Sequence, residues 1–390
     1  MSLSVWLKAG HTVEVMRRQS ADFTAETGIE VDISVVPEGQ AHDHLVSGAR
    51  RPDVVTVPHW YLDELVDLDV LRPVGDPTAM PAHARFPTAA LSALSRSGSI
   101  WAVPHTLTGG VLSYRKDVLE QAGVAPPRTV DDVLSTARAL AQTPAVDGAL
   151  HGLVARASGE FSSLETYSGW AWARGLRVLP DTGSADPDVV EAAVGDLVDV
   201  LRATAPADLA SRDYAAVGQL VAEGRAAMLF DTSAWAFFFE DPHSSQVAGR
   251  MGYTTVAGPH AAAQFLYAEG LGVTAWCPDP GAAAEFIRWR HSQAVVRDEV
   301  ETFGRLDVPR TDLWDTQWYQ ESVAARGLED YLAVVRASWE LADVGHVPRR
   351  ADYVPRAREV MAAIGAVVSG RRRTLADALR DVPAAGVHGR

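Results

Sequence analysis

Residues 98–116 read Gly-Ser-Ile-Trp-Ala-Val-Pro-His-Thr-Leu-Thr-Gly-Gly-Val-Leu-Ser-Tyr-Arg-Lys, and the rest of the chain is organised around them. Two apolar runs flank the pair Gly109 and Gly110. Pro104 lacks a backbone donor, so the first run is expected to be a strand that ends at an edge and leaves the next polar residues exposed. The glycine pair can take dihedral angles closed to other residues. The pattern predicts a strand that crosses between two lobes.

This stretch belongs to an ordered series of motifs. Gly-x-Ile-aromatic-x-Val-Pro is followed by Leu-x-Tyr-x-Lys-Asp, with Asp117 capping a helix that Gly123 ends, and then by Ala-Gly-x-x-Pro-Pro-x-Thr. The order resembles the extracellular solute-binding proteins of sugar-importing ABC transporters (family 1, maltose-binding-protein-like). The resemblance covers nearly the whole chain. It implies that residues 98–116 form the first hinge crossing.

Length, composition and charge limit the possible functions. At 390 residues the chain is too long for one ordinary core, so two domains are expected. Charged residues make up 22% of the chain and hydrophobic residues 47%, which is typical of a globular protein. The formal net charge of -15 argues against a nucleic-acid surface, which needs clustered Lys and Arg. No stretch is apolar enough to span a bilayer.

The cysteine count and the first residues bear on the compartment. Cys277 is the only cysteine, so no intrachain disulfide can form, but this does not decide the compartment. The first residues lack the basic start, apolar stretch and cleavage site of a signal peptide. Because the first predicted strand begins at once and the resemblance implies export, we expect a trimmed signal or lipoprotein segment. The expected location is extracellular, at the cell surface or in the periplasm, with a lipid anchor as the membrane attachment.

The start of the chain alternates strand and helix patterns. A buried strand at residues 3–7, an amphipathic helix and a β-branched strand at residues 29–36 predict a βαβ unit with a parallel sheet. Ligands of such sheets bind beyond the carboxyl ends of the strands. This rule places Lys8, His11 and Glu38 at a binding crevice.

A third strand at residues 52–57 leads into the loop Pro-His-Trp-Tyr. The family has the same Pro-Asp-Val strand, an aromatic-bearing loop and a Leu-x-Pro ending, here at residues 71–73. The resemblance therefore implies that His59, Trp60 and Tyr61 line the cleft. A pyranose has an apolar face that packs on an indole ring, while its hydroxyls need donors and acceptors. The alternative is that Trp60 only packs the helix start.

The middle of the chain supplies candidates for the second lobe. Aromatic residues are dense between positions 155 and 175, where Trp170 and Trp172 are too close to share a helical face. One of them is expected in the core and the other toward the cleft. The motif Gly-x-Ala-Ala-Met at residues 224–228 resembles a family strand that ends in a polar pair and a Trp. Here Trp235 falls slightly later than in the usual pattern, and a threonine stands where glycine is common.

Two more crossings complete the predicted architecture. Residues 267–273, Tyr-Ala-Glu-Gly-Leu-Gly-Val, resemble the second crossing, and residues 304–310 resemble the third. The predicted fold is α/β, of the two-lobe periplasmic-binding-protein type (type II). Each lobe is expected to be a mostly parallel sheet flanked by helices, with a ligand cleft between the lobes. Residues 1–110 and 270–308 are assigned to the first lobe, and residues 111–269 and 309–390 to the second.

The predicted ligand-binding residues are polar or aromatic and lie at strand ends, crossings or aromatic-rich loops. They are Lys8, His11, Glu38, His59, Trp60, Tyr61, His105, Thr108, Phe161, Asp231, Trp235, Glu269 and Arg305. Carboxylates among them can each accept two hydroxyl hydrogen bonds. The expected function is capture of a mono- or oligosaccharide by hinge closure and delivery to the permease subunits, by a monomer without a cofactor.

Other chemistries fit the sequence less well. His42 and His44 offer two zinc ligands but no third or fourth nearby. Carboxylate pairs such as Glu240 and Asp241 suggest a glycosidase, but neighbours in sequence rarely point at one substrate. A polyamine is harder to dismiss, because acidic and aromatic groups also suit an alkylammonium. A polyamine or another small polar solute therefore stays open on the same fold, and a glycoside-processing enzyme is the less favoured alternative.

Overall fold

The computed structural model describes residues 2–8, 12–74, 86–142 and 150–381. The chain forms two compact units. Unit 1 comprises Met1–Leu107 and Tyr267–Leu328, and unit 2 comprises Thr108–Leu266 and Glu329–Arg390. The predicted two-lobe α/β fold is confirmed.

Strands and helices are numbered here in chain order over the described residues. The strands are β1 (Ser2–Lys8), β2 (Glu30–Val36), β3 (Val54–Pro58), β4 (Leu71–Arg72), β5 (Ser95–Arg96), β6 (Ser99–Ile100), β7 (Ala102–Arg115), β8 (Met228–Thr232), β9 (Met251–Thr254) and β10 (Leu266–Thr274). Short 3-10 turns occur at His59–Tyr61, Phe161–Ser163, Leu209–Ser211, Thr311–Leu313 and Val344–His346.

The helices form the larger part of both units. They are α1 (Thr12–Thr27), α2 (Glu38–Ser47), α3 (Leu62–Asp67), α4 (Thr88–Ala93), α5 (Lys116–Ala122), α6 (Val130–Leu140), α7 (Leu164–Trp172), α8 (Pro187–Thr204), α9 (Tyr214–Ala222), α10 (Trp235–Phe239), α11 (Pro280–Arg290), α12 (Gln293–Phe303), α13 (Gln317–Ala324), α14 (Glu329–Leu341), α15 (Tyr353–Val368) and α16 (Leu375–Arg380). In the described parts of the chain, no helix combines the length and apolar character that a bilayer crossing requires.

Unit 1 is built on a sheet with the strand order β2-β1-β3-β10-β7. As the βαβ pattern predicts, β1 pairs in parallel with both β2 and β3, whereas β10 runs antiparallel to β3. The apolar residues of β1 are buried against α1 and α11. Phe23 of α1 packs its ring 5.2 Å from Phe286 and 5.3 Å from Trp289, measured between centroids. This packing joins α1 to α11 over the sheet.

Unit 2 has a different sheet from the one predicted. The last part of β7 is its central strand, and β8 and β9 both run antiparallel to it. Among the described residues of this unit, parallel pairing is reduced to isolated bridges, Thr129 with Ala257, His151 with Ala226 and Val154 with Leu229. The expectation of a mostly parallel sheet is therefore wrong for the ladders of this unit, because the chain near Val154 bonds to β8 only at single points.

The core of unit 2 lies between its sheet and the helices α7, α8 and α15. Trp170 is fully buried and meets Phe230 of β8 edge to face, with 5.3 Å between ring centroids. Trp172 is half-buried, with the guanidinium of Arg177 5.2 Å from its ring. Of the two tryptophans, Trp170 is therefore the core residue.

The units divide at different positions from the predicted lobes. The divisions fall after residues 107, 266 and 328, where the sequence suggested 110, 269 and 308. The third division is the most displaced. Trp314 donates its indole N–H to the carbonyl of Val308 over 3.0 Å, and the Tyr319 hydroxyl donates to the carbonyl of Leu306. These anchors keep α13 in unit 1.

The pair Gly109 and Gly110 serves close packing. Neither residue has a positive φ, so the expected special dihedral angles are absent. A Cβ on Gly109 would lie 2.0 Å from Oγ of Ser338, and one on Gly110 would lie 2.7 Å from the ring of Phe265. The Ser338 hydroxyl also donates to the Gly110 carbonyl over 3.1 Å. The glycines are needed because two parts of unit 2 approach this strand closely.

Candidate functional site

Three polar side chains meet at the carboxyl end of β1. Nζ of Lys8 donates to the hydroxyl of Tyr267 over 2.8 Å and lies 3.9 Å from Oε2 of Glu269. The Tyr267 hydroxyl donates to the same Oε2 over 2.6 Å. Tyr267 and Glu269 extend from one face of β10, because side chains two positions apart in a strand point the same way. The Lys8 side chain is 26% exposed, so this hydrogen-bonded set reaches solvent.

Two rings of the loop after β3 join this set. The Trp60 ring lies 5.0 Å from that of Tyr267, tilted by 45°, and 5.4 Å from that of His59, tilted by 43°. Nζ of Lys8 is 4.5 Å from the centre of the Tyr267 ring and 5.9 Å from that of Trp60. A cation over aromatic faces is attracted by their negative quadrupole. Lys8, His59, Trp60, Tyr267 and Glu269 together are called the unit 1 cluster.

Local backbone structure explains why these side chains meet. Strand β3 ends at Pro58, which lacks an N–H for the ladder and lies opposite Glu269 in the register with β10. A single 3-10 turn then carries His59 and Trp60, and Nδ1 of His59 accepts from the backbone N–H of Ala268 over 3.4 Å. The turn is thereby tied to β10.

Tyr61 leaves the same turn in another direction. Its ring lies 5.1 Å from that of His42 on α2. Nε2 of His42 is 2.7 Å from Oε2 of Glu64, and Nδ1 is 3.3 Å from Oδ1 of Asp43. Burial disfavours the imidazolium, but the two carboxylates outweigh it and raise the pKa of His42. Tyr61 thus packs against the link between α2 and α3.

Two other predicted residues of this region cannot be compared with the cluster. His11 lies outside the described residues. Glu38 is the first residue of α2, at the carboxyl end of β2, and the position of its side chain is not described. Their predicted roles stay predictions.

In unit 2, Asp231 of β8 forms a buried ion pair with Arg156. Oδ1 of Asp231 is 3.1 Å from Nε and 2.9 Å from Nη2 of Arg156, and the two side chains are 0% and 8% exposed. Burial opposes the charge of Arg156, but Asp231 and then Glu165 outweigh it and raise its pKa. The Tyr167 hydroxyl donates to the Arg156 carbonyl over 2.8 Å and fixes the backbone.

Aromatic rings continue from this ion pair. The Arg156 guanidinium lies 5.6 Å from the centre of the Tyr214 ring. Tyr214 stacks on Trp235 with 4.3 Å between centroids and 25° between planes, and Trp235 is parallel to Phe239 within 8° at 5.7 Å. A Cβ on Gly218 would lie 2.2 Å from the Trp235 ring, so α9 reaches the indole directly. Arg156, Tyr214, Trp235 and Phe239 are called the unit 2 column.

Arg305 lies in a buried charge cluster of unit 1. Its Nη1 donates to Oε1 of Glu299 and its Nε to Oδ1 of Asp307, each over 3.1 Å. Oε2 of Glu299 also accepts from Nη2 of Arg290 over 2.5 Å. Burial alone would raise the pKa of Glu299, but Arg290 and Arg305 hold it below its usual value. The guanidinium of Arg305 is thus largely committed to neighbouring carboxylates.

His105 and Thr108 are buried in β7, against the expectation of an exposed stretch. They are only 3% and 5% exposed, because Pro104 does not end the strand and β7 continues to Arg115. The pKa of His105 is far below its usual value because of burial and nearby cations. Phe161 is also buried, in a 3-10 turn of unit 2.

Comparison with known proteins gives the family. The model of the family described as bacterial extracellular solute-binding protein matches residues 9–293, which is well over half of the chain. The chain belongs to this family. No curated protein sequence is similar enough to this solute-binding protein to count as a relative.

Several solved structures share the fold of this solute-binding protein. One from Agrobacterium vitis with bound D-mannitol is 20% identical, with a TM-score of 0.85, and covers 97% of this chain and 95% of its own. One from Agrobacterium radiobacter in complex with ribitol is 21% identical, with a TM-score of 0.84 and coverage of 97% and 96%. A maltose-bound protein of T. maritima is 20% identical, with a TM-score of 0.81 and coverage of 97% of both chains.

Sequence reasoning missed four residues of the two clusters in this solute-binding protein, namely Tyr267, Arg156, Tyr214 and Phe239. Tyr267 could have been found, because its spacing of two from Glu269 in a predicted strand puts both side chains on one face. Arg156 and Tyr214 carried no comparable signal, since each is brought to Asp231 only by the folding of unit 2. Across the described ranges, no group of three or more His, Cys, Asp or Glu side chains is placed to hold a metal ion.

Proposed function

We propose that this protein captures a carbohydrate, a mono- or oligosaccharide or a related polyol, for import by an ABC transporter. The observation that carries the proposal is the unit 1 cluster. Trp60 brings an indole ring beside hydroxyl, carboxylate and ammonium groups of Tyr267, Glu269 and Lys8. The C–H faces of a sugar pack on aromatic rings, while its hydroxyls bond to such polar groups.

The unit 2 column adds support for a polar, uncharged ligand. The charge of Arg156 is matched by Asp231, as the charge of Lys8 is matched by Glu269 in unit 1. A hydroxyl both donates and accepts hydrogen bonds, so it suits carboxylates and cations alike. The mannitol-, ribitol- and maltose-bound structures with this fold point to the same ligand class.

The proposal includes the steps that the resemblance implies. The hinge closes around the sugar, and the permease subunits of the transporter then receive it. The protein acts outside the cytoplasm as a monomer, binds the sugar without converting it, and is not an enzyme. Attachment to the membrane through a lipid group stays a prediction.

A thermal-shift screen tests the proposal. The full chain is melted with D-mannitol, ribitol, maltose and a wider panel of mono- and oligosaccharides, with spermidine as the polyamine control. A ligand at about 100 times its dissociation constant adds roughly 2.7 kcal/mol to the free energy of unfolding. We expect at least one neutral carbohydrate to raise the melting temperature and to be recovered unchanged. A shift with spermidine alone, or new reducing ends from an oligosaccharide, would contradict the proposal.

A further inference from the structure

Trp235 is enclosed by the protein. Tyr214 stacks on it with 4.3 Å between ring centroids, and Phe239 lies parallel to it within 8°. An indole packed in this way has no open face for a pyranose ring. Tyr214, in contrast, is half-buried and has the Arg156 guanidinium over its ring.

We propose that Arg156, and not Trp235, contacts the ligand in unit 2, and that Tyr214 and Trp235 are positioning residues that hold its guanidinium. The inference rests on the proposed function and adds the chemistry that this region recognises. That chemistry is two adjacent hydroxyl groups of a neutral sugar or polyol.

The ion pair has donors and an acceptor side by side. Nε and Nη2 of Arg156 both approach Oδ1 of Asp231, which leaves Nη1 outside this pairing. Oδ2 of Asp231 is buried and has no hydrogen-bond partner among the described residues. A buried carboxylate oxygen without a hydrogen-bond partner has lost its hydration without compensation, which is a cost in free energy. A ligand hydroxyl donating to Oδ2 would remove this cost, and its neighbour could accept from Arg156.

The chemistry disfavours an alkylammonium at this position. An ammonium group donates but cannot accept, so it can satisfy Asp231 but brings a like charge to Arg156. Glu165 also faces Arg156 and offsets part of this repulsion, since it contributes to the raised pKa of the guanidinium. Spermidine is therefore included in the test.

The rings give the guanidinium one orientation. Arg156 carries a planar group, and lying over the Tyr214 ring restricts rotation of that plane. Tyr214 is itself held by the Trp235 stack, and Trp235 by α9 at Gly218. A phenylalanine in place of Trp235 would keep a ring against Tyr214, whereas an alanine would leave a gap.

Calorimetric titration with D-mannitol, ribitol, maltose and spermidine tests the ligand contact. Arg156→Lys keeps the charge near Asp231 but loses the planar fork, and we expect about a tenfold or greater loss of carbohydrate affinity. Arg174→Lys is the matched control, because Arg174 also lies over a ring, Trp170 at 5.2 Å, and pairs with Asp196. We expect that control to stay within about twofold of the wild-type affinity.

Trp235 separates positioning from contact. We expect Trp235→Ala to lower carbohydrate affinity and Trp235→Phe to restore most of it. If Trp235→Phe loses as much affinity as the alanine variant while Arg156→Lys binds normally, Trp235 is the contact and the inference is overturned. Tighter binding of spermidine by Arg156→Lys, with no carbohydrate binding by the wild type, would also overturn it.

A ligand-free measurement covers variants that fold poorly. In the nitrogen-15 NMR spectrum of the full chain, ring currents from Tyr214 should displace the Nε–H signal of Arg156. Tyr214→Phe should keep the displacement and Tyr214→Leu should remove it. A signal at the chemical shift of an exposed arginine would contradict the placement of the Arg156 guanidinium over the Tyr214 ring. A displaced signal in a protein that binds none of the three carbohydrates would overturn the ligand contact together with the proposed function.

Discussion

Trp60 and Trp235 each follow a strand, but the aromatic rings around them are oriented differently. His59 and Tyr267 meet the Trp60 ring at 43° and 45°, so neither lies parallel to it. Tyr214 and Phe239 lie at 25° and 8° to Trp235. The two tryptophans carry the same prediction from the sequence, and both are only 4% exposed. They differ in the geometry of the rings around them, and on that ground we expect the direct ligand contact at Trp60.

The ion pairs near these tryptophans also differ, in the distance between the charged groups and in their exposure. Nζ of Lys8 stands 3.9 Å from Oε2 of Glu269, and the two side chains are 26% and 5% exposed. Nη2 of Arg156 stands 2.9 Å from Asp231, and the two side chains are 8% and 0% exposed. A pair open to water can lose one member at small cost, whereas a closed one leaves a buried charge. The Lys8 side chain can therefore adjust to a ligand, while the unit 2 pair also stabilises the fold.

The largest expected effect is on the stability of unit 2. Asp231→Asn should lower the free energy of unfolding by about 3–5 kcal/mol, because it removes the hydrogen-bonded carboxylate from the buried charge of Arg156. The matched change in unit 1, Glu269→Gln, should cost about 1 kcal/mol, since Lys8 can turn to water. Urea unfolding of both variants measures the difference. Equal losses of unfolding free energy would contradict the view that the unit 2 ion pair stabilises the fold more than the unit 1 ion pair.

An intermediate effect is expected on ligand affinity. Trp60→Ala should weaken binding of the best carbohydrate by about 2 kcal/mol or more, as the loss of an aromatic anchor does. Calorimetry gives the affinity, and circular dichroism shows whether the variant is folded. Trp60→Phe serves as the control for ring size. A folded Trp60→Ala protein that binds like the wild type would remove Trp60 from the site.

A smaller effect concerns pH and the turn that carries Trp60. His42 has a folded-state pKa above 6.5, so its proton stabilises the protein below that pH, and the contribution is lost as the pH rises through the folded-state value. Unit 1, in which Tyr61 packs on His42, should therefore lose stability as the pH rises above 6.5. His42→Gln should remove this part of the dependence in urea titrations. If His42→Gln retains the full pH dependence of stability, that dependence arises from other groups.

Features set by neighbours in sequence are those that the sequence predicts well. Gly123 ends α5 in a left-handed conformation, as predicted, although Arg115 and not Asp117 is the N-cap and Asp117 lies in the first turn. The parallel pairing of β1 with β2 and the turn at His59 and Trp60 also follow from local patterns. These depend on spacing, capping and strand ends, all of which are local.

Features set by distant contacts are harder to predict. Arg305 looks like a crossing residue in sequence, but Glu299 and Asp307 bind it in a buried cluster. Gly109 looks like a flexible position, but its missing Cβ makes room for Ser338. In both cases the role of the residue depends on a contact that the fold creates, and no local sequence pattern predicts that contact.

The most direct test of the account asks which tryptophan the sugar touches. The full chain, labelled with 5-fluorotryptophan, gives one fluorine NMR signal for each of its 11 tryptophans, and Trp60→Phe and Trp235→Phe assign two of them. We predict that saturation with the best-binding carbohydrate shifts the Trp60 signal strongly and the Trp235 signal less. A strong shift of Trp235 with an unmoved Trp60 would contradict the account.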